Sequence, residues 1–252
     1  MVVILKLGGS VITEKEEPET VDEASLGACV RAIGERADDL LLIHGAGSFG
    51  HYHAEQHGVT VADGTRDAET VFAIHDSMRR LNDRVLDELH EQGVAAVGVH
   101  PLSVAHRDDA GTLAIPAGHL STMLDAGFAP VLFGDVIADA GEGFTVVSGD
   151  EIAVTLASSL DVDRVGMCSS VPGVLDDDGD VIDHIGSLAD AADALGGSHG
   201  WDVTGGMAEK VRELLRLPVP ASIFGLEALP RFLAGEAVGT RIGGGADEPQ
   251  GP

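Results

Sequence analysis

The sequence has little with which to attract a polyanion. Of its 252 residues, 42 are acidic and only 15 basic, a formal net charge of −27. Nucleic acids and anionic bilayers are bound through basic patches, so neither is expected as a partner. Aromatic residues make up 4% of the chain, which leaves a core of Val, Leu, Ile and Ala within a 44% hydrophobic fraction. Cys29 and Cys168 are too few and too far apart for a disulfide framework or a zinc site. No uncharged apolar run reaches the length of about 18 residues that a membrane span needs. A first strand opening at Val2 leaves no room for a signal peptide, and the cytoplasm is the expected location. An acidic surface this poor in lysine suits high salt, where self-repulsion is screened.

Lysine is scarcer still. Only Lys6, Lys15 and Lys210 occur, against twelve arginines. Lys6 and Lys210 each lie near a glycine pair, Gly8-Gly9 and Gly205-Gly206. A compact, mobile ammonium beside a glycine turn suits a phosphate in transfer.

What the chain does contain is centred on residues 40–51, Leu-Leu-Leu-Ile-His-Gly-Ala-Gly-Ser-Phe-Gly-His. An apolar, strand-like run empties into a glycine-rich turn between His44 and His51. Successive N–H groups in such a turn form a cradle for an anion, and a histidine adds a donor that can carry charge near neutral pH. The alternative is a strand-to-helix turn whose glycines serve packing alone. Residues 2–7 read as a strand buried on both faces, with Lys6 near its end and Gly8-Gly9-Ser10 following. The spacing is neither that of a P-loop nor that of a dinucleotide fingerprint.

Further elements follow by periodicity. Helices are expected over 21–37, from Phe49 to Gly58, over 66–92, 118–126, 150–160, 205–217 and 226–233. Strands are expected over 40–43, 94–99, 113–115, 130–135, 144–147, 164–168 and 219–224, with a short edge strand over 238–242. Residues 13–20 and 100–109 read as loops. One end of the long helix, near Phe72 and Met78, could line an apolar pocket. His53 and His57 have the spacing of a helical metal pair but no third ligand, and read as surface histidines. Ser148 and Glu151 form a capping box, while Gly149 at the same helix start suits an anion; the residues alone leave both readings open. Asp176 to Asp180 reads as a hairpin turn, because the glutamate of a calcium loop is missing at Ile185. About six buried strands alternating with helices predict an α/β fold with a mainly parallel sheet and helices on both faces. Open sheets of this kind place ligands at their strand ends.

Taken in order, Lys6-Leu7-Gly8-Gly9-Ser10, Ile43 to His51, Gly134-Asp135, Ser148-Gly149-Asp150, and Asp202-Val203-Thr204-Gly205-Gly206-Met207 with Lys210 resemble the amino acid kinase superfamily over nearly the full chain. Gly47-Ser48-Phe49-Gly50-His51 resembles its isopentenyl phosphate kinases, and the acidic composition is similar to their haloarchaeal forms. The resemblance implies a three-layer αβα sandwich over residues 1–242, usually homodimeric, with an acceptor lobe to about 160, an ATP lobe over about 161–242 and a disordered tail from 243. It implies ATP with magnesium and isopentenyl phosphate as acceptor, in an archaeal route to isoprenoids. Lys6 and Lys210 would contact the transferring phosphate with help from Lys15, and Asp150 would position the lysines. His51 would hydrogen-bond the acceptor phosphate, which Ala46 and Gly149 would meet through their backbone. Gly8, Gly9, Ser10, Gly47, Gly205 and Gly206 would cradle the nucleotide phosphates, and Ser169 and Gly173 would border the nucleotide. The family often has glycine at position 46; alanine keeps the N–H, so little loss is expected. No side-chain ligands for magnesium stand out. The rival acceptors on the same fold are fosfomycin, uridylate and glutamate, and a non-catalytic nucleotide-binding protein is the rival of another class.

Overall fold

The computed structural model describes residues 2–35, 39–194 and 205–244. In chain order its first half contains β1 (Val3–Leu7), α1 (Gly9–Ile12), α2 (Glu23–Gly34), β2 (Leu40–His44), α3 (Gly47–His57), α4 (Ala68–Glu91), β3 (Ala96–Gly98), α5 (Pro101–Val104), β4 (His106–Arg107), β5 (Leu113–Ala114) and α6 (Gly118–Asp125). There follow β6 (Ala129–Phe133), β7 (Asp135–Asp139), β8 (Gly143–Val147), α7 (Gly149–Ala157), β9 (Arg164–Ser169), β10 (His184–Ile185), α8 (Leu188–Ala194), α9 (Gly205–Leu214), β11 (Ala221–Gly225), α10 (Leu229–Leu233) and β12 (Thr240–Ile242).

Eight strands form one sheet in the order β10-β12-β11-β9-β1-β2-β6-β3, parallel throughout except between β11 and β12. Alternation along each strand divides the core into two layers. Leu5, Leu7, Leu40, Leu42 and Phe133 face α2, α4 and α10. Ile4, Leu41, Ile43 and Leu132 face the other way, against α7 and α9. Fully burying each such side chain contributes about 1.5–3 kcal/mol. Lys6 falls on the Ile4 side by the same period of two, which aims it at the start of α7.

Helix α4 has the clearest cause. Ile74, Met78, Leu81, Val85 and Leu89 recur at steps of three and four and are all buried. Asp67 caps the helix by accepting from Thr70 N–H at 3.0 Å. Helix α2 is capped in the same way by Asp22, which accepts from Ser25 N–H at 2.9 Å, and it ends at Gly34. Ala37, the last apolar position of the sequence pattern, lies outside the described residues.

Several expectations are corrected. The run 130–135 is not one strand. It stops at Phe133, and Gly134 N–H turns to donate to His44 O at 3.0 Å. The chain then enters a second sheet, β5-β4-β7-β8, which the sequence pattern does not announce. The segment 100–109 is not a plain loop, since it holds α5, opened by Pro101 at its first turn, and β4. The strand near 238–242 is not at an edge: β12 lies between β11 and β10, and β10 takes the edge. Helix α3 begins at Gly47, two residues earlier than Phe49. The acidic turn is a hairpin as expected, with a bridge between Leu175 and Val181. The tail from residue 245 lies outside the described residues.

The turns after β1 and β2 touch. A Cβ on Gly9 would lie 2.1 Å from Gly47 N, backbone against backbone. Gly47 itself sits at φ +50°, where a side chain would also meet Thr13 Oγ1. Gly9→Ala is therefore expected to cost about 2–3 kcal/mol, the upper range for overpacking. Gly58→Ala, at φ +67° but with open space around it, is expected to cost only about 1 kcal/mol of left-handed strain. Urea unfolding measures both, and equal losses would count against the contact.

Candidate active site

The C-terminal ends of β1, β2 and β9 and the starts of α1, α3 and α7 surround a cleft of about 750 Å³. Its position follows from the fold, because parallel strands deliver their following turns to one edge of the sheet. All three lysines of the chain line it. Lys6 and Lys210 converge on one carboxylate: Lys6 Nζ lies 2.6 Å from Asp150 Oδ1, and Lys210 Nζ lies 3.2 Å from Oδ2. Lys6 is buried. Burial lowers its pKa most, Asp150 opposes that, and the Lys210 charge adds to the lowering. Asp150 shows the opposite balance. Burial works to raise its pKa, but Lys6 and Lys210 outweigh it, so the carboxyl is held below its ordinary range.

Asp150 stands in the first turn of α7. Ser148 caps that helix by accepting from Glu151 N–H at 3.0 Å. The reciprocal half of the capping box does not form, because Glu151 instead takes both guanidinium NH groups of buried Arg107. Arg107 comes from β4, so the small sheet braces the helix that carries Asp150. Gly149 lies close under this helix start, where a Cβ would be 3.1 Å from His44 O and 3.4 Å from Lys6 Cε.

His51 lies on α3 and borders the cleft. Part of its ring is exposed, yet the surrounding protein first and the Lys6 charge second hold its pKa below the ordinary value. His44, at the other end of the turn, has a different role. It is fully buried, with ring nitrogens 3.1 Å from Gly45 O and 3.3 Å from Asn82 Oδ1. Burial pushes its pKa down to about 4, so it stays neutral and structural.

Of the expected site residues, Lys6, Lys15, Gly8, Gly9 and Ser10 line the cleft from the first turn and the segment after it. Ala46, Gly47 and His51 line it from the second turn, and Gly149, Asp150, Ser169 and Lys210 complete it. Ala46 has φ −74° and ψ −32°, a conformation open to any residue. Gly173 is not brought to the cleft; a Cβ there would meet Val181 and Thr240 within 2.7 Å, so this glycine serves packing. Gly205 and Gly206 open α9, four to five residues before Lys210. Asp202, Val203 and Thr204 lie outside the described residues.

Sequence reasoning missed two parts of the site. Asp135 is buried in the cleft wall, and its Oδ2 accepts from Leu102 N–H at 3.3 Å and lies 2.9 Å from His75 Nδ1. Burial raises its pKa, and its hydrogen bond in turn raises that of His75. Thr13 was also missed. Its hydroxyl donates to Gly9 O at 2.9 Å and accepts from Ser48 N–H at 3.0 Å, joining the two turns. The apolar end of α4 is half as expected. Met78 and Ile74 line the cleft, whereas Phe72 is 67% exposed and lines a separate apolar pocket of about 290 Å³. His53 is not a free surface histidine, since its Nε2 lies 2.7 Å from Glu19 Oε1. Among the described residues, no group of three or more His, Cys, Asp or Glu side chains could hold a metal.

Comparison with known proteins adds three findings. A family model described as the amino acid kinase family matches residues 1–218. An isopentenyl phosphate kinase of Haloferax volcanii is 60% identical over 244 residues, covering 96% of this chain and 98% of that protein. One from Methanothermobacter thermautotrophicus is 36% identical over 96% of this chain and 99% of its own length. Among solved structures, one described as X-ray structures of isopentenyl phosphate kinase superimposes with a TM-score of 0.82 at 30% identity, covering 96% of this chain and all (100%) of that one.

The electrostatics of His51 give a direct test. In the ligand-free protein its ring is expected to titrate below 6.5 by NMR. Lys6→Met is expected to move that titration upward, because the cation opposing ring protonation is gone. A wild-type titration at or above 6.5, or no response to the substitution, would contradict the arrangement.

Proposed function

Because the chain belongs to the amino acid kinase family, we propose that it moves the γ-phosphoryl group of ATP onto isopentenyl phosphate, giving isopentenyl diphosphate and ADP. The observation that carries the reading is the convergence of all three lysines of a strongly acidic chain on one cleft. Phosphoryl transfer needs positioning and charge stabilisation more than covalent help. A terminal oxygen of the acceptor phosphate forms the new P–O bond, and the bond to the β,γ-bridging oxygen breaks as ADP leaves. That acceptor oxygen is already ionised near neutral pH, so no strong general base is required.

The residues divide naturally between two anions that must meet. Lys6 and Lys210 offset charge on the transferring group, with Lys15 beside them and Asp150 fixing the first two. His51 and the N–H groups of Ala46 and Gly149 hold the acceptor phosphate. Gly8, Gly9, Ser10 and Gly47 meet the nucleotide phosphates, and Ser169 borders the nucleotide. Ala54, Ile74, Met78 and Val146 give the cleft an apolar wall, which suits a prenyl tail better than an amino acid or a nucleoside. The acceptor is thus held within residues 1–160, and the nucleotide lies between residues 161–242 and the glycine turns of the first lobe. Magnesium fits as a companion of the ATP phosphates rather than as a protein-held ion: Asp150 is occupied by two lysines and Asp135 by His75.

The wider setting follows from composition and membership. The product feeds isoprenoid synthesis in an archaeal mevalonate route, and the −27 charge suits a cytoplasm rich in salt. No helix among the described residues is long and apolar enough to cross a membrane. A homodimer accords with the exposed Val97 and Phe128 beside the free edge of the large sheet. Light scattering in high salt would test it.

ADP release in high potassium chloride, with magnesium and ATP, distinguishes the acceptors isopentenyl phosphate, fosfomycin, uridylate and glutamate. Selective turnover of isopentenyl phosphate is expected; preference for another acceptor would overturn the acceptor assignment, and silence with all four would favour a binding protein. Lys210→Ala is expected to lower kcat about 10²–10³-fold, the range for losing one charge-stabilising donor. His51→Ala is expected to raise the acceptor KM at least about tenfold while the ATP KM stays near wild type. Equal losses for both substrates would refute its role.

A further inference from the structure

Lys15 reaches the cleft from a strap with no regular structure. Residues 14–20 leave a bridge between Thr13 and Val21 and return to it, with Glu14 N–H donating to Thr20 O at 2.9 Å. The strap is tied to the second glycine turn, where Glu19 N–H donates to Ser48 O at 3.3 Å and Ser48 Oγ donates to Thr20 O at 3.4 Å. Its other tie is a single carboxylate. Arg80 of α4 grips Glu19 with both ends of its fork, Nη1 to Oε2 at 2.8 Å and Nη2 to Oε1 at 2.6 Å. His53 of α3 lies 2.7 Å from Oε1. Asp76 steadies the guanidinium from behind, accepting from Arg80 Nε at 3.2 Å.

Glu19 makes these contacts from φ +51°. Asp39 is the one other non-glycine residue in that region among the described residues. A side chain there is strained, and such strain persists only where the surroundings over-determine it. Hydrogen bonds from Arg80 are the largest cause holding the Glu19 carboxyl down to about 2, so the pair stays ionised at any working pH. Stability is a poor explanation for this arrangement. Arg80 is 44% exposed, and exposed ion pairs add little to folding. What a bidentate fork supplies is fixed geometry. The segment so fixed brings two charged residues to the cleft, Lys15 and Glu16, and of these only Lys15 has a charge that suits a phosphate.

We propose that Glu19 and Arg80 are positioning residues, clamping the strap so that the Lys15 ammonium faces the transferring phosphoryl group. This rests on the assignment of Lys15 to that group. Without the clamp the strap keeps its base but loses its orientation, and Lys15 must search for its place in every turnover. Displacement of a catalytic group by about 1 Å is enough to cost one to two orders of magnitude in rate.

The experiment is a steady-state cycle on the full chain with ATP, magnesium and isopentenyl phosphate. It compares Lys15→Ala, Glu19→Gln, Arg80→Gln and the double variant Lys15→Ala/Glu19→Gln. Glu19→Gln and Arg80→Gln are each expected to lower kcat about tenfold, with the ATP KM within about twofold of wild type. In the Lys15→Ala background, Glu19→Gln is expected to have no further effect, which a loss of general stability would not reproduce. Glu19→Gly separates the two roles further. It relieves the left-handed strain while removing the carboxylate, so the thermal midpoint is expected to hold while kcat falls as in Glu19→Gln. Normal kcat in Glu19→Gln beside an impaired Lys15→Ala would overturn the clamp and leave the role of Lys15 intact. A further loss from Glu19→Gln on top of Lys15→Ala would also overturn it. Normal kcat in Lys15→Ala would remove the assignment of Lys15 itself, and the clamp with it.

Discussion

The Asp150 carboxylate is the charge on which the rest of the cleft depends. It joins Lys6 from the first strand to Lys210 from the last long helix described. Two ammonium groups on one carboxylate repel each other, and the Lys210 charge lowers the Lys6 pKa. Burial presses Lys6 in the same direction, toward shedding its proton. Asp150 counters both, and so keeps two cations side by side before any phosphate arrives. The helix that carries it is held at its own start by Ser148 and by the grip of Arg107 on Glu151. The small sheet therefore serves the chemistry although no residue of β4 or β5 lines the cleft.

Much of this was legible in the sequence, and the reasons differ by element. The large sheet could be read because β1, β2 and β6 are nearly continuous apolar runs, and parallel strands buried on both faces have that signature. The three lysines stood out because almost nothing else in the chain is lysine. The second sheet was illegible because β4 and β5 are two residues long, too short for a period of two to show. The pairing of Asp135 with His75 was illegible for another reason: it spans 60 residues, and no local pattern records such a contact. Gly173 packs against Val181 and Thr240, and a glycine that admits a neighbouring side chain looks the same in sequence as one that admits a ligand. Lys15 was placed correctly in a loop, but what steers that loop is an ion pair to α4, again invisible locally.

The cleft is also an electrostatic exception within its own molecule. A chain of net charge −27 presents its substrates, both anions, with a repulsive surface. Screening shortens that repulsion to about 3 Å at 1 M salt. The lysines line the cleft, so an anion bound there would meet them at short range, where screening matters least. High salt thus suppresses the unfavourable long-range field and spares the favourable short-range one. The same reasoning explains why His44 must be neutral: it lies fully buried beside the turn, where a fixed charge would have no solvent to support it.

The contact between Gly9 and Gly47 carries a consequence for the geometry of transfer. At Gly9 and Gly47 the turn after β1 and the turn after β2 rest against each other through main-chain atoms, beside the Thr13 hydroxyl that joins them. Main-chain atoms in van der Waals contact have no rotamers with which to yield. The spacing of these two glycine turns is therefore set by atomic radii. The side chains of Ile74 and Met78, on the α4 wall of the same cleft, can change length without disturbing that spacing.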